Sequence, residues 1–380
     1  MILGNEMSKL MVIAGEASGD LHGGNVIQRL KKIRPELDVF GTGGDILAGT
    51  GARLFYRVED LAVIGFSEVL KVYRHIKAVF DEMVNKLDEE KPDAVLLVDY
   101  PAFNLKFAAE AKKRGIRVIF YVAPQVWAWK KNRIHKIKAL VDELIVLFPF
   151  EVDFFKKEGM ETHCFGHPLL DIVRPTQERG EFYKKWDLDP TKKTVSILPG
   201  SRKNEIARHL PLLSETARHM ARDRNDIQFV YPLAPTVSRE AIAPLINADD
   251  ADIFLVENDT YNAVAHSDIA LVTSGTATLE TAILQTPLIV IYKSSLTTYL
   301  IGKYLLRIKA IGLPNIVAGK EIVPEDPHFT SPSRMAERVT YYLEHEAANK
   351  EIRQNLADLK EQLGDPGAYQ KTAVFIDSLL

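Results

Sequence analysis

Cysteine occurs once in the chain, at Cys164. A lone thiol forms no intrachain disulfide and no cysteine-rich zinc site. Such scarcity fits a reducing compartment, and the cytoplasm is the expectation. No apolar run reaches the ~20 residues that a helix needs to span a bilayer. The first residues, Met1 to Met7, lack the basic and apolar segments of a signal peptide. Neither secretion nor membrane spanning is expected, although lying on a membrane surface stays open. No charge of one sign dominates: 48 Lys+Arg stand against 51 Asp+Glu, for a net charge of −3. That balance leaves no bulk basic surface, and no nucleic-acid partner is expected. There is no Gly-x-x-x-x-Gly-Lys-[Ser/Thr] loop, which disfavours ordinary P-loop hydrolysis. No His-rich cluster suggests a tightly held metal. Short-period repeats and low-complexity tracts are absent.

What is present is an ordinary globular composition, 46% hydrophobic and 26% charged over 380 residues. That length suits two domains. Short continuous apolar runs alternate with helical patterns. Lys9 to Ala14, Asp93 to Val98, Ile116 to Ala123 and Asp142 to Phe148 read as strands. Leu21 to Ile33 and Phe103 to Arg114 read as helices. Continuous rather than alternating runs indicate strands covered on both faces, hence parallel sheets with right-handed crossovers. The pattern breaks near 172–190 and restarts with strands at Thr194 to Leu198, Ile227 to Pro232, Asp252 to Val256, Ile269 to Val272 and Leu288 to Ile291. A helix is expected from Asn204 to Met220, and the tail from Ser333 reads as helical, broken at Gly364 to Gly367. The fold class is α/β, with two doubly wound domains at 1–175 and 176–345 and a helical tail at 346–380. Ligands of such sheets lie beyond the carboxyl ends of the strands, here expected in a cleft between the domains.

Five loops at those strand ends carry chemical potential. Gly15 to Gly24 follows the first strand, and its small residues admit a ligand close to the backbone. Its glycines do not match the dinucleotide fingerprint. Glu16 and Asp20 would repel a phosphate and suit sugar hydroxyls, with Ser18 and Gly19 beside them; helix capping by Ser18 or Asp20 is the alternative. Asp99 ends another strand, placed either as a general base or as the N-cap of the helix after Pro101. Pro124 to Lys130 brings Gln125 and Trp127 to a strand end, as a sugar platform, an anion corner or core packing. Gly200, Ser201 and Arg202 offer close approach, a hydroxyl and a guanidinium to phosphate oxygens. Gly275, Thr276 and Ala277 open a helix as a second cradle, and two cradles fit a diphosphate. From the same helix Glu280 can accept two hydrogen bonds from a ribose diol; a favourable helix-dipole charge is its other reading. A sixth segment is apolar on one helical face at Val63, Phe66, Val69, Leu70 and Tyr73. With Arg74 and Lys77 alongside, it suits either an anionic lipid surface or packing on the sheet.

Taken in order, these motifs closely resemble the lipid-A-disaccharide synthase family. Ala14 to Asp20, Val98 to Pro101, Pro124 to Trp129, Phe165 to Leu169, Leu198 to Arg202, Ser274 to Glu280 and Gly312 to Ile316 carry the resemblance, which runs from about residue 9 to the tail. It implies a GT-B glycosyltransferase with inverting chemistry and no cofactor. The implied donor is UDP-2,3-diacylglucosamine and the acceptor 2,3-diacylglucosamine 1-phosphate, lipid X. The products are a β-1,6-linked disaccharide 1-phosphate and UDP. The family works as a peripheral protein on the inner face of the Gram-negative inner membrane, which favours the lipid reading of the apolar stripe and gives Arg74 and Lys77 anionic lipid as a target. The resemblance further implies Asp99 as the base, with Glu16 as second choice or as a positioner of sugar hydroxyls. Arg202, Ser201 and the 275–277 backbone would stabilise departing UDP, and Asn315 would lie near the nucleotide. One departure is Glu325-Asp326-Pro327-His328, where the family usually has Glu-Leu-Leu-Gln. Two arrangements of the tail stay open: crossing back to the first domain, or exchange within a homodimer. The competing readings are another GT-B UDP-sugar enzyme, such as an epimerase or a peptidoglycan glycosyltransferase, and a non-catalytic UDP-sugar-binding protein.

Overall fold

The computed structural model describes residues 7–61, 69–124, 133–222, 224–234, 237–246, 252–293, 310–327 and 331–380. The chain divides into two compact units, Met1–Asp171 with Leu363–Leu380, and Ile172–Gln362. The helical tail expected at 346–380 is thereby split. Its helix Glu346–Gln362 stays with the second unit, where Arg353 donates to the Gln285 carbonyl at 3.0 Å, and only the last 18 residues join the first.

The first unit is built on strands β1 (Lys9–Ala14), β2 (Asp38–Gly43), β3 (Arg53–Arg57), β4 (Ala94–Val98), β5 (Arg117–Tyr121), β6 (Glu143–Val146) and β7 (His163–Cys164). They lie in the order β3-β2-β1-β4-β5-β6-β7, all pairs parallel. The apolar residues of β1 and β4 are almost fully buried, as strands sandwiched between helices must be. Helix α1 (Ala17–Ile33) follows β1, the short α2 (Asp45–Ala48) and α3 (Val58–Leu61) precede and follow β3, α4 (Val69–Glu90) leads to β4, and α5 (Pro101–Lys113) follows it. Between β3 and β4 the helix Val69–Glu90 packs Val79, Met83 and Leu87 into the core.

The tail helix Ala368–Asp377 closes this unit against α1. Asp171 accepts the amides of Gly367 at 2.5 Å and Tyr369 at 3.0 Å, anchoring the helix start. At its other end Arg34 Nε bonds Asp377 at 2.9 Å. In between, His22 Nδ1 and the Tyr369 hydroxyl meet at 2.9 Å, and the Arg29 guanidinium lies 5.0 Å over the Tyr369 ring.

The second unit has strands β8 (Lys193–Leu198), β9 (Ile227–Leu233), β10 (Ile253–Glu257), β11 (Ile269–Thr273), β12 (Leu288–Ile291) and β13 (Glu325–Asp326), in the parallel order β10-β9-β8-β11-β12-β13. After α6 (Arg133–Leu140) and α7 (Pro149–Lys157) of the first unit, α8 (Arg179–Lys185) opens the second, α9 (Lys203–Arg222) follows β8, α10 (Arg239–Ile242) and α11 (Thr260–Ala265) flank β10, and α12 (Thr276–Ile283) follows β11. In each sheet the chain reverses its winding direction at one place, between β1 and β4 and between β8 and β11. Loops leaving the carboxyl ends of those two pairs diverge, and the crevices they leave are where ligands bind in open α/β sheets.

Candidate active site

In the first unit Ala14 and Val98 are partners across β1 and β4, so Gly15 and Asp99 leave the sheet side by side. Asp99 and Tyr100 both have left-handed backbones, with φ of 51° and 47°. Two consecutive non-glycine residues in that region store strain that the surroundings must hold. Asn104, fully buried on α5, supplies the hold: its Nδ2 donates to the carbonyls of Asp99 at 2.7 Å, Val98 at 3.3 Å and Ile13 at 3.4 Å. Tyr100 stacks on Phe103 at 5.5 Å, and its ring covers Gly15 so closely that a Cβ there would stand 2.4 Å from a ring carbon. Only glycine fits beneath it.

This turn presents the Asp99 carboxylate half-buried. Ser18, at the start of α1, donates its hydroxyl to Oδ2 at 3.2 Å. Burial pushes the Asp99 carboxyl above its ordinary range, against the downward pull of the Ser18 hydroxyl and the Tyr100 amide. The N-cap of α5 is Tyr100 rather than Asp99, so the capping alternative does not hold. A carboxylate made more basic by its surroundings is suited to accept a proton. Glu16 occupies the N-cap position of α1, half-buried, and the Tyr100 hydroxyl is raised by burial and then by the Glu16 charge.

In the second unit the loops after β8 and β11 line a cavity of about 670 Å³. One wall is Gly200, Ser201, Arg202 and Glu205; the other is Thr273 to Ala277 with Glu280. The Arg202 guanidinium is exposed and bonds Glu205 at 3.0 Å. The amides of Gly275, Thr276 and Ala277 open α12, where N–H groups have no partner within the helix and the helix dipole favours an anion. Ser274 and Thr278 are occupied with bracing: Ser274 donates to the Ile311 carbonyl at 2.6 Å and Thr278 to the Gly275 carbonyl at 2.7 Å. The buried Thr273 hydroxyl finds no partner among the described residues. Glu280 accepts from the Tyr261 hydroxyl at 3.0 Å, and burial raises its carboxyl against that bond.

The family described as lipid-A-disaccharide synthetase matches residues 10–378. The lipid-A-disaccharide synthase of Syntrophus aciditrophicus is 42% identical over 376 residues, covering 98% of both chains. The chain belongs to the lipid-A-disaccharide synthase family. It is therefore a glycosyltransferase of lipid A biosynthesis. The synthase of Geobacter sulfurreducens is 38% identical over 377 residues, 99% of this chain and 98% of its own. Among solved structures, the S. aureus MnaA–UDP co-structure gives a TM-score of 0.66 at 17% identity, covering 98% of both chains. CalG4, the calicheamicin glycosyltransferase, gives 0.62 at 13% identity, covering 99% of this chain and 98% of its own. These likenesses bear on architecture, and the architecture is GT-B.

Two residues expected to touch substrate in this synthase family member are consumed internally. Asp20 is 5% exposed, and its carboxylate accepts the amides of Gly44 at 2.7 Å, Ile46 at 3.1 Å and Leu47 at 3.0 Å. It caps the short helix Asp45–Ala48 and has no free face for a sugar. Asn315 is 3% exposed; its Oδ1 accepts from Ile322 and Val323, and its Nδ2 donates to the Val323 carbonyl and to Glu325. It braces the segment 322–325 rather than facing a nucleotide. Glu325, in the departing segment, is likewise turned inward, accepting the amides of Ile311 at 2.8 Å and Gly312 at 2.9 Å. Gly19 is buried where α1 meets β4, 3.2 Å separating a built Cβ from the Val98 carbonyl, so it serves close packing.

Gln125 and Trp127 lie outside the described residues, as do Val63, Phe66 and His328. Of the apolar stripe, Val69, Leu70 and Tyr73 fall in the helix Val69–Glu90 with side chains outside the description; Arg74 and Lys77 are exposed, and Lys77 pairs with Asp81 at 2.5 Å. Among the described residues no helix is long and apolar enough to cross a membrane. Sequence reading missed further parts of the cavity's rim: Arg174 and Thr176, Pro232 to Ala234 at the end of β9, and Asn258 to Asn262 after β10. Asp259 there is held below the usual range, despite the upward push of burial, by hydrogen bonds from Lys185, Asn262 and Trp186. Its position at a strand end was the available signal.

Proposed function

We propose that the chain transfers 2,3-diacylglucosamine from UDP-2,3-diacylglucosamine to the 6-hydroxyl of lipid X, with inversion, releasing UDP. The substrates follow from the family; the chemistry is supported above all by the environment of Asp99. Its carboxylate is strained into place at a strand switch point, partly desolvated, and hydrogen-bonded by Ser18.

In this reading Asp99 takes the proton as the acceptor oxygen bonds to the anomeric carbon. The bond from that carbon to the β-phosphate oxygen breaks at the same time, and its electron pair leaves with UDP. The cavity of the second unit holds the nucleotide. Arg202 and the 275–277 amides meet the diphosphate, where fixed donors stabilise developing charge without reorganising. Glu280, oriented by Tyr261, accepts from the ribose hydroxyls. Glu16 orients acceptor hydroxyls. Both substrates are lipids, and exposed Arg74 and Lys77 support engagement of anionic lipid on the cytoplasmic face of the inner membrane.

The test is incubation of both substrates in detergent with chelator present, with products read by mass spectrometry. The disaccharide 1-phosphate and UDP are expected in equal amounts. Folded protein that binds UDP yet forms no disaccharide would contradict the reading.

A further inference from the structure

Glu205 stands third in α9, and its carboxylate reaches back over the loop that precedes the helix. Oε2 accepts the amides of Ser201 at 3.3 Å and Arg202 at 3.4 Å, and Oε1 accepts the Arg202 guanidinium at 3.0 Å. It lies so close to Gly200 that a Cβ there would stand 2.8 Å from Oε2. A glutamate at the third helical position accepting a capping amide is half of a capping box. Here the donors it takes also line the cavity wall.

The same Ser201, Arg202 and loop amides are the groups available on this wall for a diphosphate. The two loop amides have one N–H each and cannot give full hydrogen bonds to two anions at once, and the Arg202 Nη1 donor turned to Glu205 is withdrawn from a second anion. Nor do a carboxylate and a diphosphate share one set of donors without repulsion. We propose that Glu205 is a resident competitor of the donor's diphosphate. It holds Arg202 and the loop in place while the cavity is empty, and by opposing the phosphate it limits how tightly UDP is retained after transfer. Glu205 is thus a positioning residue that sets nucleotide affinity. The inference rests on the reading of this cavity as the UDP-sugar site.

Calorimetric titration of the full chain with UDP and with uridine tests it, comparing wild type with Glu205→Gln. Glutamine keeps the neutral capping hydrogen bonds and removes the charge. UDP is expected to bind the variant about 3- to 10-fold tighter, with a matching fall in its product-inhibition constant. Uridine, which carries no phosphate, is expected to bind both proteins equally. Glu205→Asp, whose carboxylate falls short of the amides, serves as the second variant and should tighten UDP in the same direction. Unchanged or weaker UDP binding by folded Glu205→Gln would overturn the inference and leave Glu205 as a helix cap. Equal tightening of uridine would also overturn it, because the effect would not act through phosphate. Failure of the folded wild type to bind UDP at all would instead overturn the nucleotide reading of the cavity, and this inference with it.

Discussion

The Ser18 hydroxyl donates to Oδ2 of Asp99 at 3.2 Å, joining the loop after β1 to the end of β4 across 81 residues of sequence. The bond stabilises the ionised carboxylate, while burial disfavours it and wins. Removing the hydroxyl leaves burial less opposed. Ser18→Ala is therefore expected to raise the Asp99 pKa further. If Asp99 is the base, the acid limb of kcat/KM moves to higher pH in the variant. A limb that stays in place or moves down would break the link between this bond and the base.

Asn104 holds the strained Asp99–Tyr100 turn through three carbonyls. Asn104→Ala strands those acceptors and frees the turn, at a cost of about 1–3 kcal/mol in stability. The expected kinetic signature is a lower kcat with UDP affinity unchanged, since every residue lining the cavity proposed for the nucleotide belongs to the second unit. Parallel loss of UDP binding would point to general unfolding instead.

Glu280 and Tyr261 make one hydrogen-bonded pair on the cavity wall. Glu280→Gln is expected to weaken UDP binding about 10-fold, the scale of a hydrogen bond to a charged group. It should leave the affinity for 2′,3′-dideoxy-UDP unchanged. Equal weakening of both nucleotides would remove the ribose from the Glu280 assignment.

His22, beneath the tail helix, is pushed by burial down to about 4. His167 is pushed to about 3, by burial and then by its neighbour His22. In the unfolded chain both titrate near 6.5, so below that pH the unfolded state binds more protons. Stability from these neutral histidines is therefore full above pH 6.5 and lost as pH falls toward 4. The loss from His22 is on the order of 3 kcal/mol. Protection factors in the helix Ala368–Asp377, corrected for the intrinsic slowing of exchange at lower pH, should fall over that window, and less so in His22→Gln. Protection independent of pH would contradict the assignment.

The strands that position the site were legible because β1, β4, β8 and β11 are continuous apolar runs with no competing helical period. β2 and β3 were not. Asp38–Gly43 holds two glycines in six residues and reads as a turn, while Arg53–Arg57 is an edge strand with charged ends. Missing β2 hid the role of Asp20, whose amide partners lie just beyond that strand. Asn315 misled because its partners are backbone groups of Ile322 and Val323 and the inward-turned Glu325 carboxylate, which no sequence pattern announces. Asp99, Glu280 and the 200–202 loop were legible because each sits directly after an obvious strand or opens the helix that follows it. Asn104 was invisible, as its function depends on a left-handed turn that spacing does not reveal.

The central claim is that Asp99 removes the acceptor's proton. Asn tolerates the left-handed backbone at this position better than other neutral residues except glycine, so Asp99→Asn removes the base with little added strain. Because burial raises the folded-state pKa, the ionised carboxylate costs stability as pH rises through that value. The variant is thus expected to melt no lower than wild type at neutral pH. The decisive measurement is the rate of disaccharide formation by Asp99→Asn, with UDP affinity and thermal midpoint recorded on the same sample. The account predicts a fall in kcat of about 10²–10⁴-fold with UDP affinity and thermal midpoint preserved. Turnover close to wild type in the folded variant would contradict it and pass the role to Glu16.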